Sequence, residues 1–153
     1  MKKVLLIGLI GLTLVGCENK KGAFIKTVET QNDVPTAVKK LIARIKEQKL
    51  TYFETIDHSK NAKNVGIRLT PESVVVFGNP KMGTILMQCN PSMGLDLPLR
   101  MLFSTTYEGK TTISYTNPEY WSLKHNIKDK KCLTIINKAS MALEDLAQAA
   151  AKK

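Results

Sequence analysis

The chain has 153 residues, enough for one domain of ordinary size and too few for two. Its 23 basic and 13 acidic residues give a formal net charge of +10, an excess that suits nucleic acid or an anionic surface. No aromatic–basic stacking platform accompanies that charge, so nucleic acid is not an expected partner.

Met1-Lys2-Lys3 is a short positive segment, and Val4 to Val15 is an apolar run ending at Gly16-Cys17. About 12 apolar residues are too few to span a bilayer but fit the apolar region of a secretory signal. Leu14-Val15-Gly16-Cys17 resembles the lipobox of bacterial lipoproteins. That resemblance implies removal of residues 1–16, diacylglycerol on the Cys17 sulfur and an acyl chain on its new amino terminus. Paired acyl chains anchor a protein stably, so the mature domain is expected in the cell envelope, outside the cytoplasm and held to a membrane. Glu18 after the cysteine resembles the pattern of outer-membrane sorting, which implies the periplasmic side of that membrane where an organism has one. Without Lys2 and Lys3 the mature part keeps 21 basic against 13 acidic residues, or +8, which suits anionic lipid or cell wall.

Residues 17–22 read as a lipidated polar tether and 23–151 as a single domain. Ala23 to Thr30 alternates as an opening strand with Phe24 and Val28 among its apolar positions. Asn32 or Asp33 caps a helix in which Val34, Val38, Leu41, Ile42 and Ile45 form one stripe, and Lys39, Lys40, Arg44, Lys46 and Glu47 a solvated face. Leu50 to Ile56 is the second strand, ending at Asp57-His58, and Ser59 to Asn64 reads as a polar connection. Ser73 to Phe77 is an apolar, β-branched central strand stopped by Gly78-Asn79-Pro80. Asn79 suits an N-cap and Pro80 the first helical position, so Met82 to Cys89 is expected as a short helix that Asn90-Pro91 breaks.

Leu95 to Arg100 reads as a strand that places one carboxylate, Asp96, among apolar neighbours, and Leu99 to Thr106 continues it. Tyr107-Glu108-Gly109-Lys110 supplies a hairpin turn, and Thr111 to Thr116 the returning strand. Asn117-Pro118 repeats the helix-start signal and predicts a short helix to about His125. Asp129 caps the last helix, with Leu133, Ile136, Leu143, Leu146 and Ala150 as its buried stripe. The expected order is β-α-β-β-α-β-β-α-α. Hairpins mixed with helices indicate an α+β two-layer sandwich, an antiparallel-rich sheet with helices on one face.

With Cys17 assigned to lipid, Cys89 and Cys132 remain in a compartment that permits disulfides. Either they bridge, closing a loop of about 40 residues nominally worth ~3–4 kcal/mol, or they are two separate buried thiols.

Several motifs in order resemble the family called domain of unknown function 302. They are Ile56-Asp57-His58, Ala62 and Gly66, Phe77-Gly78-Asn79-Pro80-Lys81, Gly83-Thr84, Leu86-Met87-Gln88, and Leu95-Asp96-Leu97-Pro98-Leu99. Gly109, Tyr115, Asn117-Pro118 and His125 continue the match, which runs from about Phe24 to Ala150. The resemblance implies a compact α+β sandwich, often a homodimer, and carries no established enzyme activity. Cys89 departs from the family pattern, which favours a small non-thiol residue there.

Asp57, His58, Asn79, Lys81, Asp96, Tyr115 and His125 are the ligand-binding candidates, because polar residues at strand ends are where ligand groups converge. Free N–H groups at the helix start beside Lys81 suit a small anionic ligand, against the plainer reading of a capped turn. His58 with Asp96 or His125 is the candidate acid–base pair of an alternative enzyme reading. Two histidines, two aspartates and two cysteines are a conceivable metal-ligand pool, but no H-x-x-H, C-x-x-C or Met-x-x-Met spacing is present. No metal site or cofactor is expected. The leading expectation is a lipid-anchored envelope module that binds a small ligand or a partner through a small polar pocket beside Asn79.

Overall fold

The computed structural model describes residues 24–153. The expected leader, the lipidation position Cys17 and the tether lie outside the described residues.

Five strands form one antiparallel sheet: β1 (Ile25–Thr30), β2 (Thr51–Asp57), β3 (Glu72–Gly78), β4 (Leu99–Thr105) and β5 (Thr111–Thr116), in the order β1-β5-β4-β3-β2. The helices are α1 (Val34–Glu47), α2 (His58–Asn64), α3 (Pro80–Cys89), α4 (Trp121–Lys124) and α5 (Lys130–Ala151). β1 and β2 are the two edges, so the connection through α1 carries the chain across the whole sheet. The class is α+β, as the mixture of hairpins and helices implies.

Strand alternation sorts the two faces. Val75 and Phe77 of β3, Met101 and Phe103 of β4, and Ile113 and Tyr115 of β5 are buried against Leu41 and Ile45 of α1 and Leu143 and Leu146 of α5. Arg100, Ser104, Thr112 and Ser114 occupy the alternate positions, and hydroxyl pairs Thr27–Ser114 (3.0 Å) and Ser104–Thr112 (3.3 Å) tie neighbouring strands there. Gly109, at φ +83°, lets the β4–β5 hairpin turn where a side chain would be strained.

The caps explain where the helices begin. Asp33 Oδ1 accepts the Thr36 N–H (2.9 Å) at α1, and Asp129 Oδ1 accepts the Cys132 N–H (2.9 Å) at α5. Asn32, the other cap candidate for α1, instead closes the far end of α5. Its Nδ2 donates to the Lys152 carbonyl at 2.7 Å, while the Thr30 hydroxyl donates to that of Ala151 at 2.9 Å. The first and last elements are thereby joined.

Two expectations are corrected here. Ser59 to Asn64 is not a plain connection but most of α2, capped by Asp57 through the Lys60 N–H (2.8 Å). This helix buries none of its residues, so it has no apolar stripe to read from sequence. The strand expected from Leu95 begins at Leu99, because Pro91–Leu95 forms a 3₁₀ turn with Asn90 as its cap. Each of the three Asn-Pro pairs, at 79, 90 and 117, therefore starts a helical segment.

Candidate functional site

β3 delivers the chain to Gly78, Asn79 turns it, and α3 runs off beside α5. Asn79 Oδ1 accepts the Met82 N–H at 3.2 Å, and Pro80 fills the first turn without losing a hydrogen bond. Between α3 and α5 lies a cavity of 420 Å³. Met82, Gly83 and Leu86 of α3 form one wall, and Ile135, Ala139 and Leu146 of α5 the other. Leu97, Leu99 and Trp121 also line it, with Asn79, Thr84 and Lys138 the polar contributors. The pocket expected beside Asn79 is thus present in position but apolar in character, because both wall helices turn hydrophobic faces toward it.

A β-bulge shapes one side. Thr51 and Tyr52 pair with Gly78 and Phe77, but the next partner of β3 is Glu54, which leaves Phe53 unpaired and lining the cavity. At the other end of α3 a disulfide joins Cys89 to Cys132 near the start of α5, with Cα atoms 6.7 Å apart. The two cavity walls are therefore covalently pinned at one end. Cys89, Asp129 and Cys132 bring metal-ligand atoms within 4.8 Å of one another, but the sulfurs are bonded to each other and offer no thiolate.

Behind the cavity is a polar network that braces its wall. His125 is buried, with 3% exposure, and its ring bridges two partners: Nε2 lies 2.5 Å from Asp96 Oδ2, and Nδ1 lies 2.7 Å from Ser92 Oγ. The Asn90 side-chain amide donates to the His125 carbonyl (2.7 Å), and its Oδ1 contacts the Ser92 hydroxyl (2.9 Å). Lys124 Nζ reaches Asp96 at 2.9 Å. Burial pushes the Asp96 carboxyl up, but hydrogen bonds and charge from Lys124 and His125 outweigh it and hold the group below its ordinary value. The network joins the 3₁₀ turn to α4, and those segments contribute Gly94 and Trp121 to the cavity lining. Ser92, Asp96 and His125 do not themselves line the cavity.

The remaining candidates separate. Asp57 caps α2, where the Lys60 N–H, opposed by partial desolvation and helped by the Ser59 hydroxyl, holds its carboxyl below its ordinary value. His58 follows it at the opposite end of the sheet. Asp57 pairs with Ser73 at the start of β3, and the five residues from there to Gly78 span roughly 17 Å. The expected pairing of His58 with Asp96 therefore does not form; Asp96 pairs with His125. Tyr115 is buried in the main core, and burial, then the charges of Glu144 and Glu119, push its hydroxyl pKa up. Lys81 is exposed on α3 and does not line the cavity. Sequence reasoning missed Ser92, Lys124, Trp121 and Lys138. Asn90-Pro91 was the available signal for Ser92, since a capped turn orders the residue two places on.

Comparisons with known proteins fit this geometry to a family. A family model described as "Domain of unknown function DUF302" matches residues 26–151. "Fluoride-specific ion channel FluC 1" of Brucella suis biovar 1 (strain 1330) is 34% identical over 101 residues, which is 66% of this chain and 40% of that protein. The protein of the same name from Brucella abortus biovar 1 (strain 9-941) is also 34% identical over 101 residues, 37% of its length. The chain thus spans about two fifths of the length of the curated relatives it matches. A solved structure, "Crystal structure of uncharacterized conserved protein DUF302 from Bacillus stearothermophilus", superimposes with TM-score 0.74 at 17% identity, covering 84% of this chain and 99% of that one. At that identity the likeness concerns the fold alone.

Proposed function

This chain belongs to the DUF302 family, and from that premise we propose that it is a lipid-anchored cell-envelope module that binds a small apolar molecule between α3 and α5. The observation that carries the reading is the 420 Å³ cavity. Its size is that of ordinary small-molecule sites, and its walls are apolar with a few polar groups at the edge, the usual composition of such sites. The disulfide and the Asp96–His125 network both brace the cavity where α3 ends, so that part of the lining is preformed and ordering it costs a ligand little.

The anchoring part rests on Met1 to Cys17: a charged start, a short apolar run and a lipobox-like ending. Relatives named as ion channels support a working place at a membrane. Fluoride conduction is not carried over, since the match covers about two fifths of those proteins, and no helix among the described residues is long and apolar enough to cross a membrane. The same reading puts the domain on the extracytoplasmic side as a homodimer, the association the family resemblance implies.

Trp121 is the only tryptophan of the chain and lines the cavity, so its fluorescence reports occupancy directly. Titration with small apolar molecules should give a saturable change in Trp121 emission. Lack of saturation with a graded series from six to sixteen heavy atoms, roughly the sizes such a cavity admits, would remove the binding reading. For the anchor, Cys17→Ser should accumulate as unprocessed precursor, and normal maturation of that variant would exclude lipidation. Sedimentation at micromolar concentration should give a dimer mass.

A further inference from the structure

The cavity has one charged side chain that its apolar walls do not explain, and beside it a tryptophan that can report on occupancy. Lys138 is the one charged side chain lining it, and Lys138 is exposed with no hydrogen bond or ion pair among the described residues. Trp121 is 2% exposed, and its indole N–H is buried without a hydrogen-bond partner.

We infer that the ligand is a single-chain anionic amphiphile, a medium-chain carboxylate whose tail lies between α3 and α5 and whose carboxylate meets Lys138. The inference rests on the small-ligand reading above and names its chemical class. Volume bounds the length: 420 Å³ lies toward the small end of ordinary small-molecule sites, which suits one medium-length chain. Dodecanoate is a probe of that class, and the two chains of a diacyl lipid exceed such a site. Charge sets the head, because an ammonium without a partner at the mouth of an apolar cavity favours an anion over a neutral group. Phe53 and Met87, both exposed yet lining the cavity, extend the apolar surface toward solvent.

The test uses the purified full chain on phosphatidylcholine vesicles, with Trp121 emission read during titration by dodecanoate and, separately, by dodecanol. Dodecanoate should give a saturable change. Dodecanol, with the same chain and no charge, should bind about fivefold more weakly, the ceiling for an exposed ion pair. Lys138→Gln should abolish that preference without changing dodecanol binding. Ala139→Phe, which fills the cavity from α5, should abolish saturation by both, with thermal unfolding confirming that the variant folds. Equal or tighter binding of dodecanol by the unmodified chain, or an unchanged preference in Lys138→Gln, overturns the carboxylate inference and leaves the small-ligand reading standing. Absence of saturation with either compound overturns the inference and counts against that reading as well.

Discussion

Asp96 Oδ2 and His125 Nε2 stand 2.5 Å apart, and this contact links the turn before β4 to the end of α4. Its partners are unequal: the side chains of His125 and Asp96 are 2% and 9% exposed, whereas that of Lys124 is 54% exposed. Removing a buried member strands the others, but removing the exposed lysine does not. His125→Ala should therefore cost about 2–3 kcal/mol, Asp96→Asn about 1–3, and Lys124→Ala under about 1. Urea unfolding of the three variants checks the order, and a Lys124 cost equal to that of His125 would contradict it.

Acid should release this contact in a defined direction. The folded-state pKa of Asp96 lies below its ordinary value because Lys124 and His125 outweigh its burial. Its contribution to stability is therefore fully present above the unfolded value, near 4, and is lost as pH falls through the lower folded value. Unfolding measured from pH 7 to pH 2 should show the unmodified protein losing more stability below about pH 4 than Asp96→Asn. Asp33 and Asp57, held low by helix-cap hydrogen bonds, and Glu108, held low by Thr106, remain in both proteins and contribute to the shared part of the loss.

The network also marks where sequence stops being legible. Periodicity and caps were enough for α1, α3 and α5, since Asp33, Asn79 and Asp129 signal locally and their apolar stripes follow at helical spacing. α2 was opaque because a helix that buries nothing leaves no stripe, and only its Asp57 cap pointed to it. Asp96 was visible as an oddity among apolar residues, but its partner lies 29 residues onward and no local rule links the two. The same holds for the cavity, whose walls come from helices roughly 50 residues apart and meet only through the tertiary fold. His58 misled for the converse reason, since closeness to a matched motif says nothing of which end of a strand a residue occupies.

The Cys89–Cys132 bond closes a loop with a sequence separation of 43 and pins the two cavity walls. In the chain-entropy model a loop of that length is worth about 4 kcal/mol. The Cys89→Ser, Cys132→Ser double variant should lose about that much in denaturant unfolding. It should also bind apolar probes more weakly, because α3 and α5 are then free to separate and a ligand must order them. A variant that loses the stability but keeps the affinity would show that the bond supports the fold without shaping the site.

Gly83 offers the opposite trade. It lies within α3, and a Cβ there would meet only Leu97 Cδ1, at 3.6 Å, an ordinary contact. Glycine inside a helix costs roughly 0.5–1 kcal/mol relative to alanine, so Gly83→Ala should stabilise the domain by about that amount. Gly83 also lines the cavity, and the added methyl narrows it between α3 and Leu97. Thermal unfolding should therefore rise while the Trp121 fluorescence titration shows weaker binding of a probe that fills the cavity. If both stability and affinity increase, the ligand does not pass beside Gly83, and the binding path lies closer to Phe53 and Lys138.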